Sequence, residues 1–320
     1  MSDPQATAPI DKDRAAQAVI DAVIAGYRQQ PRSPVLKTPA SQNLAYEDVT
    51  FASEDGVPLE AWFIPRQGSD RLIISNHPRY FSRYGFPSHL PPWKGLFGKA
   101  GNDFEVDFNL DYRVLHDAGY NILTYDLRNL GHSGAANGGI STGGRFESRD
   151  VIGSLLYARS HPTLSRMTMG LFSRCLGCNA TLFAMQRRPE AFGDVRCLIG
   201  VQPLSVRRIM QGILALNDIA PERIAEIDQG VLHATGFDLD AMSPIGAAAS
   251  VIVPTLISQV RDDVLTRPDD VQSIFDAMPA TEKALVWIDR STRRWDGYTH
   301  FARHPEQTLA WLNRFMARTP

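Results

Sequence analysis

Short apolar runs alternate with helix-patterned segments along most of this 320-residue chain, and no other feature narrows its folding options so far. The runs fall at 72–75, 121–125, 167–172, 197–201, 253–257 and 284–288, and helical spacing occupies 107–118, 147–160, 176–187, 268–278 and 304–317. Such alternation specifies a mostly parallel sheet covered by helices on both faces. Sites in folds of this kind gather at the carboxyl ends of the strands. Ahead of the alternation, 46–53 and 59–65 read as two strands joined by a turn at Asp55 and Gly56. Residues 13–28 carry apolar side chains at helical spacing behind a polar tail.

Two stretches interrupt the rhythm. Residues 79–105 are rich in Gly, Pro and aromatics and follow a strand end, so they are expected to wall a pocket. Residues 204–250 are largely helical and sit between two strands, which reads as a lid inserted into the sheet domain. The organisation expected is a tail and helix over 1–45, a first core segment over 46–203, the helical lid over 204–250 and a second core segment over 251–320.

A formal charge of −2 lacks the basic surplus that phosphate backbones attract, which argues against a nucleic-acid partner. No stretch stays apolar for the ~18 residues of a membrane span, and the N-terminal 30 residues lack the apolar core of a signal peptide. A cytoplasmic address is therefore expected, with a homodimer admissible. Three cysteines are an odd count that fits no disulfide framework. Cys175 and Cys178 form a CxxC, but no second CxxC or paired histidines complete a zinc set, so no metal is expected.

The stretch from Thr168 to Asn179 passes from a strand directly into a helix. Tight turns of this kind demand small residues two before and two after the tip, and Ser173 and Gly177 meet that demand around Cys175. With Ser173 at the tip instead, the large Leu171 would occupy a tight position. Here the chain resembles the α/β-hydrolase family, whose nucleophile elbow has this spacing. The family usually places Ser at the tip, and the dienelactone hydrolases, a branch of the same fold, place Cys there. Cys178 and Cys197 read as core packing.

The resemblance, which covers about 50–317, extends to further positions. Gly297, Tyr298, Thr299 and His300 precede a helix expected from Pro305, and His300 matches the family's catalytic histidine, which sits in a loop after the last strand, with His304 the competitor. The acid should follow the strand at 253–257, and the family's pattern of an Asp followed by a small apolar residue selects Asp263, with Asp262 as the alternative. The order nucleophile, acid, histidine is the order of this fold. The resemblance also implies an oxyanion hole from the amides of Leu176 and Arg79, since Pro78 has no N–H. Asp126 to Gly134 resembles a structural turn of the family, with Asn129 at a position suited to positive φ.

The function these positions imply is a cysteine-dependent acyl hydrolase of an ester, lactone or thioester, working through a Cys175–His300–Asp263 triad and a covalent acyl-enzyme without a cofactor. Tyr80, Trp93 and Trp295 are the expected walls of the small-molecule pocket, and the segment carrying Arg293 and Arg294 borders it. An acyltransferase or cyclase on the same triad is the first rival, because a dry pocket lets acceptors other than water take the acyl group. A ligand-binding homologue without catalysis is the second. A thioredoxin-like redox pair leaves Gly177 and the downstream positions unexplained, and dehalogenase chemistry would need a carboxylate at position 175.

Overall fold

The computed structural model describes residues 9–317. After helix α1 (Pro9–Arg28), strands β1 (Glu47–Ala52) and β2 (Pro58–Ile64) form a hairpin, and β3 (Arg71–Asn76) follows. A long segment then contributes a two-stranded ribbon of β4 (Gly85–Phe86) and β5 (Val106–Asp107) before α2 (Asn109–Asp117) leads to β6 (Asn121–Tyr125). The alternation continues through α3 (Ser148–Ser160), β7 (Thr168–Arg174), α4 (Leu176–Arg187) and β8 (Val195–Val201). Helices α5 (Val206–Leu216), α6 (Ile224–Thr235) and α7 (Ile245–Ala248) separate β8 from β9 (Thr255–Val260). Then come α8 (Pro268–Ala277), β10 (Lys283–Ile288), α9 (Arg294–Arg303) and α10 (Glu306–Phe315).

The main sheet has eight strands in the order β1-β2-β6-β3-β7-β8-β9-β10. Pairings of β1 with β2 and of β2 with β6 are antiparallel, and the pairings from β6 through β10 are parallel. The parallel strands are apolar on both faces because helices cover both. In β3, Leu72 and Ile74 join one apolar cluster with α3 and α4, whereas Ile73 points into a second cluster with α2, α9 and α10. β8 divides the same way, Leu198 to one side and Ile199 to the other. This two-sided core is the α/β-hydrolase fold, with β7 near the centre of the sheet and its carboxyl end leading straight into α4.

A third apolar cluster stands above the strand ends. It joins Ile20 and Tyr27 of α1 to Met210 and Leu214 of α5 and to Ile227 and Val231 of α6. Gly230 lets α6 approach closely, since a Cβ there would lie 2.3 Å from Ile24 Cδ1. Residues from both ends of the expected lid and from the N-terminal helix thus form one roof.

One local expectation is overturned. Residues 294–303 form a helix, where a loop carrying His300 was expected ahead of the last helix. Arg294, Trp295, Tyr298 and Phe301 recur at helical spacing and are buried. Gly297 in their midst permits close packing, because a Cβ there would lie 2.4 Å from Gln202 Nε2. Among the described residues, no helix is long and apolar enough to cross a membrane.

Candidate active site

Cys175 stands between β7 and α4 with φ 47° and ψ −110°, outside the basins that L residues favour. A backbone held there costs on the order of 1–3 kcal/mol and persists only where its surroundings enforce it. The surroundings do so: the Cys175 amide donates to Val201 O at 2.8 Å, and the Asn179 amide donates to Cys175 O at 2.8 Å. Ser173 is buried, its Oγ 2.9 Å from Thr181 Oγ1. At Gly177 a Cβ would fall 2.2 Å from Asn76 Oδ1 and 3.1 Å from His77 O, so a larger residue would push α4 off the β3 end. The result is a partly buried thiol at a helix N-terminus, while Cys178 and Cys197 are fully buried. Burial pushes both of those thiols up, Cys197 to about 12. The inaccessibility of Cys178 weighs against a redox pair.

The loop after β3 is pinned beside this elbow by His77. Its Nδ1 donates to Pro78 O at 2.8 Å, and its Nε2 accepts the Leu127 amide at 3.0 Å, an arrangement that fixes the neutral tautomer. Burial is the main reason its pKa is lowered, against the pull of Asp126 3.9 Å away. Arg79 follows. Its guanidinium stacks on Tyr27 of α1 at 3.8 Å and on Tyr80 at 4.5 Å, and Nε donates to Gln30 Oε1 at 3.3 Å. The loop after β3 and the first helix are therefore one packed unit. Asn129 has φ 64°, so the turn that starts at Asp126 uses Asn in the conformation expected of it.

Cys175 opens into a cavity of about 420 Å³. Pro78, Arg79, Leu176, Tyr80 and Trp295 border it together with the thiol, while Val23, Leu96, Phe97, Ile209, Met210 and Ile213 supply an apolar wall. Trp93 does not line it. That indole is buried in the aromatic cluster behind the wall, its Nε1 without a hydrogen-bond partner.

The expected triad is not assembled. His300 lies in a separate small hollow with Phe172, Val201, Gly297, Phe301 and His304. Burial and then the neighbouring His304 lower its pKa, and the two imidazole rings are 4.9 Å apart. His304 shares that hollow, so neither histidine borders the thiol's cavity. The reason is helical geometry. Tyr298 and His300 are two positions apart on α9, about 200° around its axis, and Tyr298 takes the inward face.

Tyr298 and Arg294 occupy the ground beside Cys175 instead. The Arg294 Nε donates to Tyr298 Oη at 2.9 Å and Nη1 donates to Asp263 Oδ2 at 2.9 Å, while Nη2 donates to Gln202 O. Asp263 is buried and Asp262 exposed. Asp263 also accepts Leu265 N at 3.0 Å and Thr266 Oγ1 at 2.8 Å. Burial opposes the charge on Arg294, but Tyr298, Cys175 and Asp263 outweigh it and the guanidinium stays protonated. Burial holds the Tyr298 phenol well above its ordinary pKa; Arg294 pulls it down and Cys175 pushes it further up. The phenol is therefore a proton donor at rest, facing the sulfur.

Reading by sequence position missed Tyr298 altogether and took Arg294 only as part of a wall. The usable signal was the spacing of 294, 295, 298 and 301, which marks one helix face.

These features define a protein of the α/β-hydrolase fold with a cysteine at the elbow. The esterase Pf2001 of Pyrococcus furiosus superposes with a TM-score of 0.64 over 90% of this chain and 99% of that one, at 19% identity. The α/β hydrolase GrgF from a Penicillium species gives 0.59 over 86% and 100%, at 17% identity. A dienelactone hydrolase from Anabaena variabilis gives 0.54 over 85% and 99%, at 15% identity. No family model and no curated protein matches the sequence.

Proposed function

We propose that this chain is a cysteine-dependent acyl hydrolase acting on an ester, lactone or thioester with an apolar acyl part. The observation that carries this reading is the strained Cys175 tip, open to a mostly apolar cavity of about 420 Å³, a volume suited to a small molecule. The fold shared with an esterase and a dienelactone hydrolase is consistent with it, although fold alone does not fix chemistry. The sulfur attacks the substrate carbonyl and forms a thioester, while the Leu176 and Arg79 amides hold the oxygen as it becomes negative. Water then releases the acid.

The roof of α1 and α5 favours one alternative, transfer of the acyl group to an alcohol, amine or carbanion, because a cavity that excludes water protects a thioester from hydrolysis. Assaying a panel of acyl esters and thioesters, with and without an added amine, tests both. Turnover should fall by about 1,000-fold or more in Cys175→Ala. Unchanged turnover in that variant would remove the reading, and an amide product formed in preference to the acid would replace hydrolysis by transfer.

A further inference from the structure

We propose that Tyr298 is the proton-transfer residue of this site, with Arg294 and Asp263 as its positioning residues, so that a phenol stands where an imidazole was expected. The proposal rests on Cys175 being acylated. Three observations support it. Tyr298 and Cys175 line the same cavity, which neither His300 nor His304 borders. The phenolic oxygen accepts from Arg294 Nε at 2.9 Å, which leaves its own proton free to point toward the sulfur and any bound substrate. Arg294 is in turn fixed by Asp263 at 2.9 Å and by the Gln202 carbonyl, and Gln202 Nε2 donates back to Arg294 O. Held in this way, the guanidinium stands 2.9 Å from the one oxygen that would become anionic.

The proton balance closes. The Cys175 thiol first gives its proton to water in the cavity; attack by the resulting thiolate forms the C–S bond, and collapse of the tetrahedral adduct breaks the bond to the leaving group. That departing alkoxide or thiolate takes the phenolic proton, leaving a phenolate beside Arg294. Acylation also turns the sulfur into a neutral thioester, which removes the charge that pushes the phenol up. The phenolate then takes a proton from water as the hydroxyl adds to the thioester carbonyl. Breaking the C–S bond yields the acid, the thiolate and the neutral phenol.

Leaving groups separate this role from a structural one. In Tyr298→Phe, acylation by a p-nitrophenyl ester should stay within about threefold of wild type, because nitrophenolate departs without a proton. Acylation by the matching alkyl ester should fall ~100-fold or more, the usual range for a lost general acid. With the activated ester, the variant should also retain the acyl group on Cys175 long after wild type has released it. Arg294→Lys, which keeps the charge but loses the fork, should show the same pattern more weakly. Equal losses on both esters, or none on either, would overturn the proposal. So would a loss on the alkyl ester in His300→Gln with Tyr298→Phe unaffected. If wild type itself never carries an acyl group on Cys175, the underlying acyl-hydrolase reading is what fails. Thermal melts of each variant show whether the fold is retained.

Discussion

At the scale of single residues, the site is organised around a buried cation. Arg294 is 2% exposed, and its carboxylate partner Asp263 is equally enclosed by Leu265, Thr266 and the guanidinium. Such a pair adds little net stability over an apolar replacement, yet breaking it by removing one charge is costly, because the survivor stays buried. Asp263→Asn should therefore lower the unfolding free energy by about 3–5 kcal/mol, read from urea denaturation curves. Neutralisation without measurable loss would mean that Arg294 is balanced by something other than Asp263. The same residues show why the sequence was only partly informative. Cys175 could be singled out because steric demands at 173 and 177 are local and visible in residue size. The proton-transfer partner could not, because which side of a helix faces a thiol depends on packing between segments more than 100 positions apart.

At the scale of elements, parallel strands were the most legible, since burial on both faces makes continuous apolar runs of β3, β6, β7 and β8. Helix α9 was the least. Gly297 and the polar residues around it read as a loop, but the missing Cβ is what lets the helix close onto Gln202. A position argued from chain order alone therefore placed His300 in a loop, whereas its helix turns it into the hollow behind. The loop after β3 supplies a pH test. His77 is buried and its folded-state pKa is lowered from 6.5, so between that value and its folded pKa the unfolded chain binds a proton that the folded chain does not. Its contribution to stability is complete above about pH 6.5 and declines as pH falls. Between pH 7.5 and 5 the denaturation midpoint of wild type should fall relative to that of His77→Gln. Parallel slopes for the two proteins would show that His77 does not supply this dependence.

At the scale of the whole molecule, two halves of one fold meet at the thiol. The sheet and its flanking helices set Cys175 at the carboxyl end of a central strand, as the alternating pattern implied. The roof draws on residues from opposite ends of the first 250 positions, with α1 packed against α6 and both α1 and α5 lining the cavity. That N-terminal helix was readable as a helix but not as part of the pocket, because nothing in its own pattern names the surface it covers.

The central claim is that an acyl group passes through the Cys175 sulfur. Its most direct test is exposure of the protein to a β-lactone acylating probe, followed by peptide mapping by mass spectrometry. The account predicts one acyl group per chain, carried on the peptide containing Cys175, with labelling suppressed by any ester the protein turns over. Substrate turnover in a protein whose Cys175 stays unmodified, or stoichiometric labelling at a different residue, would contradict it.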